Sequence, residues 1–527
     1  MVSFSSSLQW VCVHICLWDV SFALMGLFIF SCVIQRMTNK GPMLWPVMGM
    51  IPTVMFNMKN NYEWITAALI RTGGTFPYRG MWMGGAYGIV TVDPSKIEYM
   101  LKTRSINFPK GRYYRERFRD LLGDGIFNAD DESWQRQRRV ATAEMHSSRF
   151  VAYSLQSMQD LVQKKLLKVI EKLVNSGDHS IDLQEMLLRF TFDNICAAAL
   201  GVDSGCLAID LPEVPFAKAF EQATELTLLR FLTPPFVWKP MKLLGLGFEK
   251  RLKEATKLVH CFAEKIVKER RNELIKCGDL NHRYDLLSRL MVMDKSDEQE
   301  KCFSNKFLSD FCISFILAGR DTSSVGLAWF FWLLQNNPDA ERRILSEIND
   351  IVSSRREIND TNETVFTVDE LKKMVYLQAA LSEALRLYPP VPIDIKEVVN
   401  DDVFPDGTDV KKGARVLYCI FSMARMESIW GKDCLDFKPE RWIQNGQFVA
   451  ENQFKYAVFN GGPRLCLGKS FAYKQMKMVA ASILMRYEVK VVEGQRIVPK
   501  VTTTLYMKNG LLVSFKPRLV NCGTTTQ

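Results

Sequence analysis

A single cysteine in a glycine-rich loop restricts most strongly what this 527-residue chain can fold into. The loop, residues 459–468, reads Phe-Asn-Gly-Gly-Pro-Arg-Leu-Cys-Leu-Gly and precedes a helical pattern over residues 469–486. Glycine allows positive φ angles and lets the backbone approach a flat ligand closely. Backbone amides and a helix N-terminus favour a thiolate at Cys466, and the fork of Arg464 suits a carboxylate. The loop therefore predicts a flat, carboxylate-bearing ligand; the alternative is a buried structural cysteine in a tight turn.

The same loop resembles a known family. It matches the pattern Phe-x-x-Gly-x-Arg-x-Cys-x-Gly at every fixed position, and this pattern is typical of the cytochromes P450, whose haem iron is held by a cysteine thiolate. The resemblance implies haem b (iron protoporphyrin IX), with Cys466 as the metal ligand and Arg464 at a haem propionate. It also implies a monooxygenase that uses O2.

A long apolar helix is predicted over residues 304–337, with a polar interruption at its centre. An isolated transmembrane span is the rival interpretation, but Arg320 and Asp321 would each cost about 2.5 to 3.5 kcal/mol at the centre of a bilayer. A buried core helix is therefore favoured. The resemblance implies that this helix crosses the distal face of the haem, that Gly319 leaves room for dioxygen, and that Asp321 and Thr322 are catalytic residues that relay protons.

Two further motifs occur in the order of the family. Glu383 and Arg386 lie three residues apart on one helical face, a spacing that alone is usually a surface contact worth a few tenths of a kcal/mol. Together with Arg441 they resemble the Glu-Arg-Arg network that supports the cysteine loop. Trp134 and Arg138, four residues apart, resemble the pair that contacts a haem propionate.

Helical spacing dominates residues 133–290, whereas short β-like runs occur around residues 88–92 and beyond Pro389. This pattern predicts a mainly α fold with small β-sheets. Together with the resemblance, it predicts the cytochrome P450 fold over residues 57–527, a catalytic domain with the haem between the long central helix and the cysteine-containing loop.

The N-terminus is predicted to be a membrane anchor, residues 1–34, followed by a Pro/Gly-rich hinge, residues 35–56, that forms stiff turns rather than a helix. A cleaved signal peptide is the weaker alternative. Because Arg36 and Lys40 follow the apolar run, the positive-inside tendency predicts a single-pass protein with its catalytic domain in the cytosol. The resemblance suggests the endoplasmic reticulum membrane.

Charge and cysteine content limit the possible partners. The net charge of +10 suits an acidic protein or an anionic membrane, or simply reflects a mixed-charge surface. We find no basic tract interleaved with aromatic residues, so nucleic acid is not an expected partner. The 13 cysteines lack zinc-site spacing and are expected to be mostly reduced. Since the sequence contains no flavin or nicotinamide fingerprint, the electrons are expected from outside the chain. The resemblance implies a separate flavoprotein, an NADPH–cytochrome reductase, as their donor.

Two segments suggest the substrate. Residues 107–111 and 121–128, together with the form of residues 318–324, resemble plant fatty-acid ω-hydroxylases that act on long and very-long acyl chains. Each buried methylene contributes about 0.8 kcal/mol, so affinity alone does not set the register of an acyl chain. Attack at the terminal carbon needs either a channel too narrow for internal carbons near the iron or an anchor for the distant carboxylate. The predicted channel residues are Leu122, Ile126, Phe127, Ala318, Ile393 and Thr503, the last within residues 502–505.

Candidate anchors are Lys110, Arg112, Arg115 and Arg117, although a solvated basic face is the alternative explanation of this cluster. Other functions also stay open: oxidation of another lipid, such as in-chain fatty acid, alkane or terpenoid, a reductase-independent rearrangement of hydroperoxides, or a haem sensor or carrier. The intact Asp-Thr pair at residues 321–322 favours oxygen activation.

Overall fold

The computed structural model describes residues 17–81, 86–177, 180–296, 303–357 and 365–518. Helices before the central one are α1 (Leu17–Thr38), α2 (Ile51–Phe56), α3 (Asn61–Arg71), α4 (Pro94–Glu98), α5 (Gly111–Leu122), α6 (Asp131–Met145), α7 (Ser148–Leu161), α8 (Leu167–Ser176), α9 (Leu183–Ile195), α10 (Pro215–Leu232), α11 (Pro235–Leu244), α12 (Gly247–Cys277) and α13 (Leu286–Ser296). The central helix and those after it are α14 (Asn305–Gln335), α15 (Pro338–Glu357), α16 (Val368–Lys373), α17 (Val375–Leu387), α18 (Ile420–Met423), α19 (Glu427–Trp430) and α20 (Lys469–Arg486).

The strands are short and form small sheets. They are β1 (Thr75–Arg79), β2 (Tyr87–Thr91), β3 (Ile181–Asp182), β4 (Ile393–Glu397), β5 (Asp402–Val403), β6 (Asp409–Val410), β7 (Arg415–Cys419), β8 (Ile443–Gln444), β9 (Gln447–Phe448), β10 (Tyr487–Val491) and β11 (Leu512–Pro517). One sheet has the order β1-β2-β7-β4, in which β2 and β7 are parallel and the other pairs antiparallel. A second has the order β10-β11-β3, and two hairpins complete the set. The prediction of a mainly α fold with small sheets is confirmed.

Helix α14 runs through the core. Ser304 caps its N-terminus: the Oγ of Ser304 accepts a hydrogen bond from the N–H of Phe307 at 3.1 Å and so satisfies one otherwise unpaired amide of the first turn. It packs against α9, α12, α17 and α20. Arg320 and Asp321, at its centre, are buried and form an ion pair of 2.8 Å. The prediction of a buried core helix rather than a membrane span is confirmed.

Among the described residues, one helix is long and apolar enough to cross a membrane, Trp18–Thr38. Residues 1–16 of the predicted anchor lie outside the described part of the chain. The helix ends at Thr38, four residues beyond the predicted anchor boundary.

The hinge differs from its prediction, because it contains the short helix α2. Pro52 lies in the first turn of α2, where its missing N–H would have no helical partner in any case, so the residue starts a helix instead of preventing one. Before α2, Trp45 and Gly49 pair through two backbone hydrogen bonds of 2.8 Å. The ring of Trp45 also contacts Phe28 of α1, with centroids 6.0 Å apart. The segment of residues 39–56 therefore folds back onto α1.

Candidate active site

A cavity of about 910 Å³ is lined by parts of α14 and of the cysteine loop. This volume lies in the upper part of the range for small-molecule sites, about 300 to 1,000 Å³. Two pairs that are distant from each other in the sequence both line it: Trp134 with Arg138, and Arg464 with Cys466. Thr322 of α14 lines it as well. Most of the other lining side chains are apolar.

The cysteine loop is held by its own backbone. The N–H of Cys466 donates to the carbonyl of Phe459 at 2.8 Å, and Leu465 donates to Gly462 at 3.0 Å. Cys466 is accessible from the cavity that it lines. Because the surrounding protein shields its sulfur from bulk water, desolvation raises the pKa of the Cys466 thiol, while the N–H of Gly468 and the charge of Arg138 oppose this shift. A metal cation at the sulfur would favour the thiolate.

Gly462 allows the loop to lie against the backbone of residue 101. It has a φ of +59°, and a Cβ there would come within 2.1 Å of the carbonyl oxygen of Leu101. Gly462→Ala is therefore expected to lower the free energy of unfolding by about 2 to 3 kcal/mol more than a control that carries only the φ penalty. The control is Gly494→Ala, since Gly494 has a φ of +77° and nothing within 4 Å of its Cβ position. Denaturant unfolding of both variants measures the difference; equal losses would contradict the close approach.

Arg464 and Trp134 contact each other at the cavity wall. Nη2 of Arg464 donates to Oδ1 of Asp130 at 2.7 Å, and its guanidinium carbon lies 4.4 Å from the centroid of the Trp134 ring. Arg138 follows one turn later on α6 and makes no ion pair with a carboxylate in the described part of the chain. A cation without a counter-ion, beside an accessible thiol in a mainly apolar cavity, fits a flat cofactor that carries a metal and carboxylates. The residues present therefore fit haem.

Sequence reasoning missed Asp130. Its two carboxylate oxygens accept the backbone N–H groups of Lys110 and Gly111, each at 3.0 Å, in addition to Arg464. The start of α5 is thus tied to the cysteine loop through one buried carboxylate. The only sequence signal was an acidic residue directly before the helical pattern of α6.

Asp394 was missed as well. It lines the cavity and accepts hydrogen bonds from Nζ of Lys110 at 2.5 Å and from the hydroxyl of Tyr418 at 2.6 Å. Burial alone would raise the pKa of Asp394, but Lys110 and Lys396 hold this pKa well below its ordinary value. Burial lowers the pKa of Lys396 to about 7, against the attraction of Asp394. No local sequence pattern marks this cluster.

On α14, the hydroxyl of Thr322 donates to the carbonyl of Ala318 at 2.7 Å, and both residues line the cavity with Gly319. A Cβ at Gly319 would meet Ile195 at 2.5 Å. Asp321 does not line the cavity and is instead completely buried against Arg320. Burial raises the pKa of Asp321, whereas the charge of Arg320 opposes the shift. Any proton that Asp321 supplies must therefore pass through another group.

Most predicted channel residues share this space: Ile126, Phe127, Ala318, Ile393 and Thr503. Leu122 is the exception and corrects the prediction, because it is completely buried in the core and does not line the cavity. It is the last residue of α5, on a helix that packs against α14. Of the candidate anchors, Lys110 and Arg117 line the cavity, while Arg112 and Arg115 are exposed.

Glu383, Arg386 and Arg441 come together in a buried network. Arg386 donates to both carboxylate oxygens of Glu383 at 2.8 Å, and Nε of Arg441 donates to Oε1 at 3.3 Å. Nε1 of Trp442 donates to Oε2 at 2.9 Å. Arg386 also binds the carbonyls of Ala424 and of residues 434 and 436. The network thus joins α17 to the chain that leads into the cysteine loop.

Comparison with known proteins gives a consistent result. A sequence model of the family described as "Cytochrome P450" matches residues 40–517. Cytochrome P450 86B1 of Arabidopsis thaliana is 52% identical over 505 residues, which cover 94% of this chain and 90% of that protein. Cytochrome P450 94A1 of Vicia sativa is 40% identical over 456 residues, 85% of this chain and 84% of that protein. Noroxomaritidine synthase 2 of Narcissus aff. pseudonarcissus MK-2014 is 35% identical over 508 residues, 95% and 97% respectively.

Proposed function

Because this chain belongs to the cytochrome P450 family and is accordingly a haem-dependent monooxygenase, we propose that it hydroxylates the terminal (ω) carbon of long- or very-long-chain fatty acids. The observation that carries the proposal is the mainly apolar cavity that extends from Cys466 to Ile126, Phe127 and Ile393. Each methylene buried there contributes about 0.8 kcal/mol, which favours a long acyl chain. The resemblance of residues 107–111 and 121–128 to plant fatty-acid ω-hydroxylases supports the same substrate.

The residues of the cavity have distinct roles in this proposal. Cys466 would hold the haem iron, and Arg464, Arg138 and Trp134 would hold the propionates. When bound, haem supplies the activation of O2 and the transfer of one oxygen atom to a C–H bond. The apolar walls exclude water and orient the acyl chain.

Protons reach the cavity through α14 in this proposal. Thr322, whose Oγ1 donates to the carbonyl of Ala318, holds a proton at the cavity wall. Asp321 lies behind it as the buried acid, held by Arg320, and delivers protons indirectly because it does not line the cavity.

Electrons come from a separate NADPH–cytochrome reductase in this proposal, since the sequence contains no flavin or nicotinamide fingerprint. A second cavity of about 610 Å³ also reaches Cys466 and is lined by Lys372, Lys469 and Lys474. These lysines would suit an acidic docking face. Helix α1 would anchor the protein as a single pass in the endoplasmic reticulum membrane, with the catalytic domain in the cytosol.

The proposal predicts terminal products and a residue that controls them. Microsomes that contain this protein and the reductase should oxidise NADPH on addition of a long saturated fatty acid and release mainly the ω-hydroxy acid. Phe127→Ala should shift the product from mainly terminal to mainly in-chain, because the substitution removes a ring that lines the cavity and an acyl chain slides by one carbon at a cost of about 0.8 kcal/mol or less. Mass spectrometry of the products measures both effects.

Leu122→Ala is the matched control for Phe127→Ala, because Leu122 is buried nearby but does not line the cavity. Its product profile should equal that of the wild type. The channel assignment of Phe127 is rejected if the two variants give the same profile, and ω-hydroxylation is rejected if the wild type consumes NADPH without forming a terminal alcohol.

A further inference from the structure

Arg117 is a buried cation that lines the cavity, and no carboxylate in the described part of the chain pairs with it. Its side chain is 2% exposed. Nε donates to the carbonyl of Arg230 at 2.9 Å and Nη1 to that of Tyr113 at 3.0 Å. Within the described residues, Nη2 makes no hydrogen bond and the guanidinium makes no ion pair. Both acceptors are neutral, so the charge of Arg117 is not compensated.

The neighbouring acidic side chain is already paired. Glu116, which precedes Arg117 on α5, lies 3.1 Å from Nε of Arg112 and 3.3 Å from Nζ of Lys239. The carboxylate of Glu116 thus pairs with the exposed Arg112 and with Lys239, which is about half exposed. Neither of these two ion pairs of Glu116 involves the guanidinium of Arg117.

A second guanidinium increases the positive charge at this wall. The guanidinium carbons of Arg117 and Arg415 lie 3.4 Å and 3.7 Å from the centroid of the Tyr113 ring. Two groups so close to one centroid must occupy opposite faces of the ring, since on one face they would overlap. Burial lowers the pKa of Arg117, and the charge of Arg415 contributes to this shift. An anion bound in the cavity would offset both the burial of the Arg117 charge and its repulsion by Arg415.

The position of Arg117 along α5 separates it from the haem-binding residues. The start of α5, at Gly111, is tied through Asp130 to Arg464. Arg117 follows six residues later, which is about 9 Å along the helix axis at 1.5 Å per residue. Phe118 and Ile126, both apolar, also line the cavity.

We propose that Arg117 binds the carboxylate of the acyl substrate, with Nη2 as a donor, and that the enzyme therefore takes the free acid in preference to the alcohol or alkane of the same length. The planar fork of arginine matches a carboxylate in geometry as well as in charge. With the carboxylate held on α5, away from the start of the helix that is tied to Arg464, the far end of a long chain is left to approach Cys466. The proposal rests on the proposed function and names the head group that it requires.

The test is optical titration of the purified, full-length haem protein with hexadecanoic acid and with hexadecan-1-ol. Arg117→Gln should raise the Kd for the acid about 10- to 100-fold, as expected for loss of a charged hydrogen-bonded pair. It should leave the Kd for the alcohol within about twofold. Arg115→Gln is the matched control, because Arg115 is exposed on the same helix and does not line the cavity; it should change neither Kd.

Each other outcome overturns the assignment. If Arg117→Gln weakens acid and alcohol equally, Arg117 acts only by joining α5 to the carbonyl of Arg230, and if it changes neither Kd, the carboxylate lies elsewhere. Should this variant fail to fold, Arg117→Lys decides, since it keeps the charge but loses the fork and should weaken acid binding alone. If the wild type binds neither probe and forms no hydroxylated product, the proposed function fails too, whereas acid binding that is insensitive to Arg117 defeats the head-group assignment alone.

Discussion

Cys466→Ser is expected to reduce monooxygenase activity to the level of the enzyme-free background. The serine hydroxyl is a poor iron ligand and donates less electron density than a thiolate. In this family, electron donation from the thiolate promotes cleavage of the O–O bond. The loop itself should survive, because the hydrogen bond to Phe459 comes from the backbone N–H of residue 466. The effect is therefore chemical, with the fold retained.

Two measurements distinguish loss of the iron ligand from loss of the fold. The ferrous, carbon-monoxide-treated variant should lack the thiolate-type Soret band, while its circular dichroism in the far ultraviolet should match that of the wild type. Cys261→Ser is the control, because Cys261 is an exposed cysteine on α12 that does not line the cavity, and it should keep both the band and the activity. A Cys466→Ser protein that retained the thiolate band would place the iron ligand on another cysteine.

Glu383→Gln is expected to have the largest effect on stability. Glu383 is 0% exposed and its carboxylate faces the guanidinium groups of Arg386 and Arg441. Removing one partner of a buried ion pair leaves uncompensated charge in a region of low dielectric, which typically costs about 3 to 5 kcal/mol. In the wild type, both carboxylate oxygens of Glu383 accept hydrogen bonds, from Trp442 and from the two arginines. The glutamine amide has one acceptor oxygen and cannot replace them all. The variant should unfold at lower denaturant concentration and retain less haem.

Glu440→Gln provides the comparison for Glu383→Gln. Glu440 also pairs with an arginine, Arg343, but its side chain is 43% exposed, and exposed pairs contribute at most about 1 kcal/mol. Denaturant unfolding of the two variants should therefore give clearly different midpoints. Similar losses would mean that the Glu383 network contributes no more than a surface ion pair.

Local sequence patterns predicted much of the site. The cysteine loop, the Trp134–Arg138 pair and the Glu383–Arg386 pair each lie within a few residues, so spacing alone places their members on one loop or one helical face. The polar centre of α14 was likewise recognised from the cost of burying Arg320 in a membrane. These features depend on contacts between neighbours in sequence.

The positions of other residues could not be predicted from the sequence, because helical spacing does not say which neighbouring element a helix face will meet. Leu122 and Ile126 lie close in sequence, yet the first is in the core and the second lines the cavity. Asp321 and Thr322 are adjacent on α14, but a helix turns about 100° per residue, so Asp321 is carried away from the cavity. The helix in the hinge was missed because proline was treated only as a helix breaker.

By itself, the sequence predicted the chemistry: a cysteine suited to bind the haem iron, its glycine-rich loop and a mainly helical catalytic domain, all encoded in segments of about ten residues or in one repeating spacing. Only the tertiary structure decided which charges meet. The contact of Arg464 with Asp130 joins residues 334 positions apart. The separation of Arg117 from the carboxylates of the described residues depends on where α5 and α10 pack. Such contacts follow from the packing of whole elements, and no local pattern specifies it.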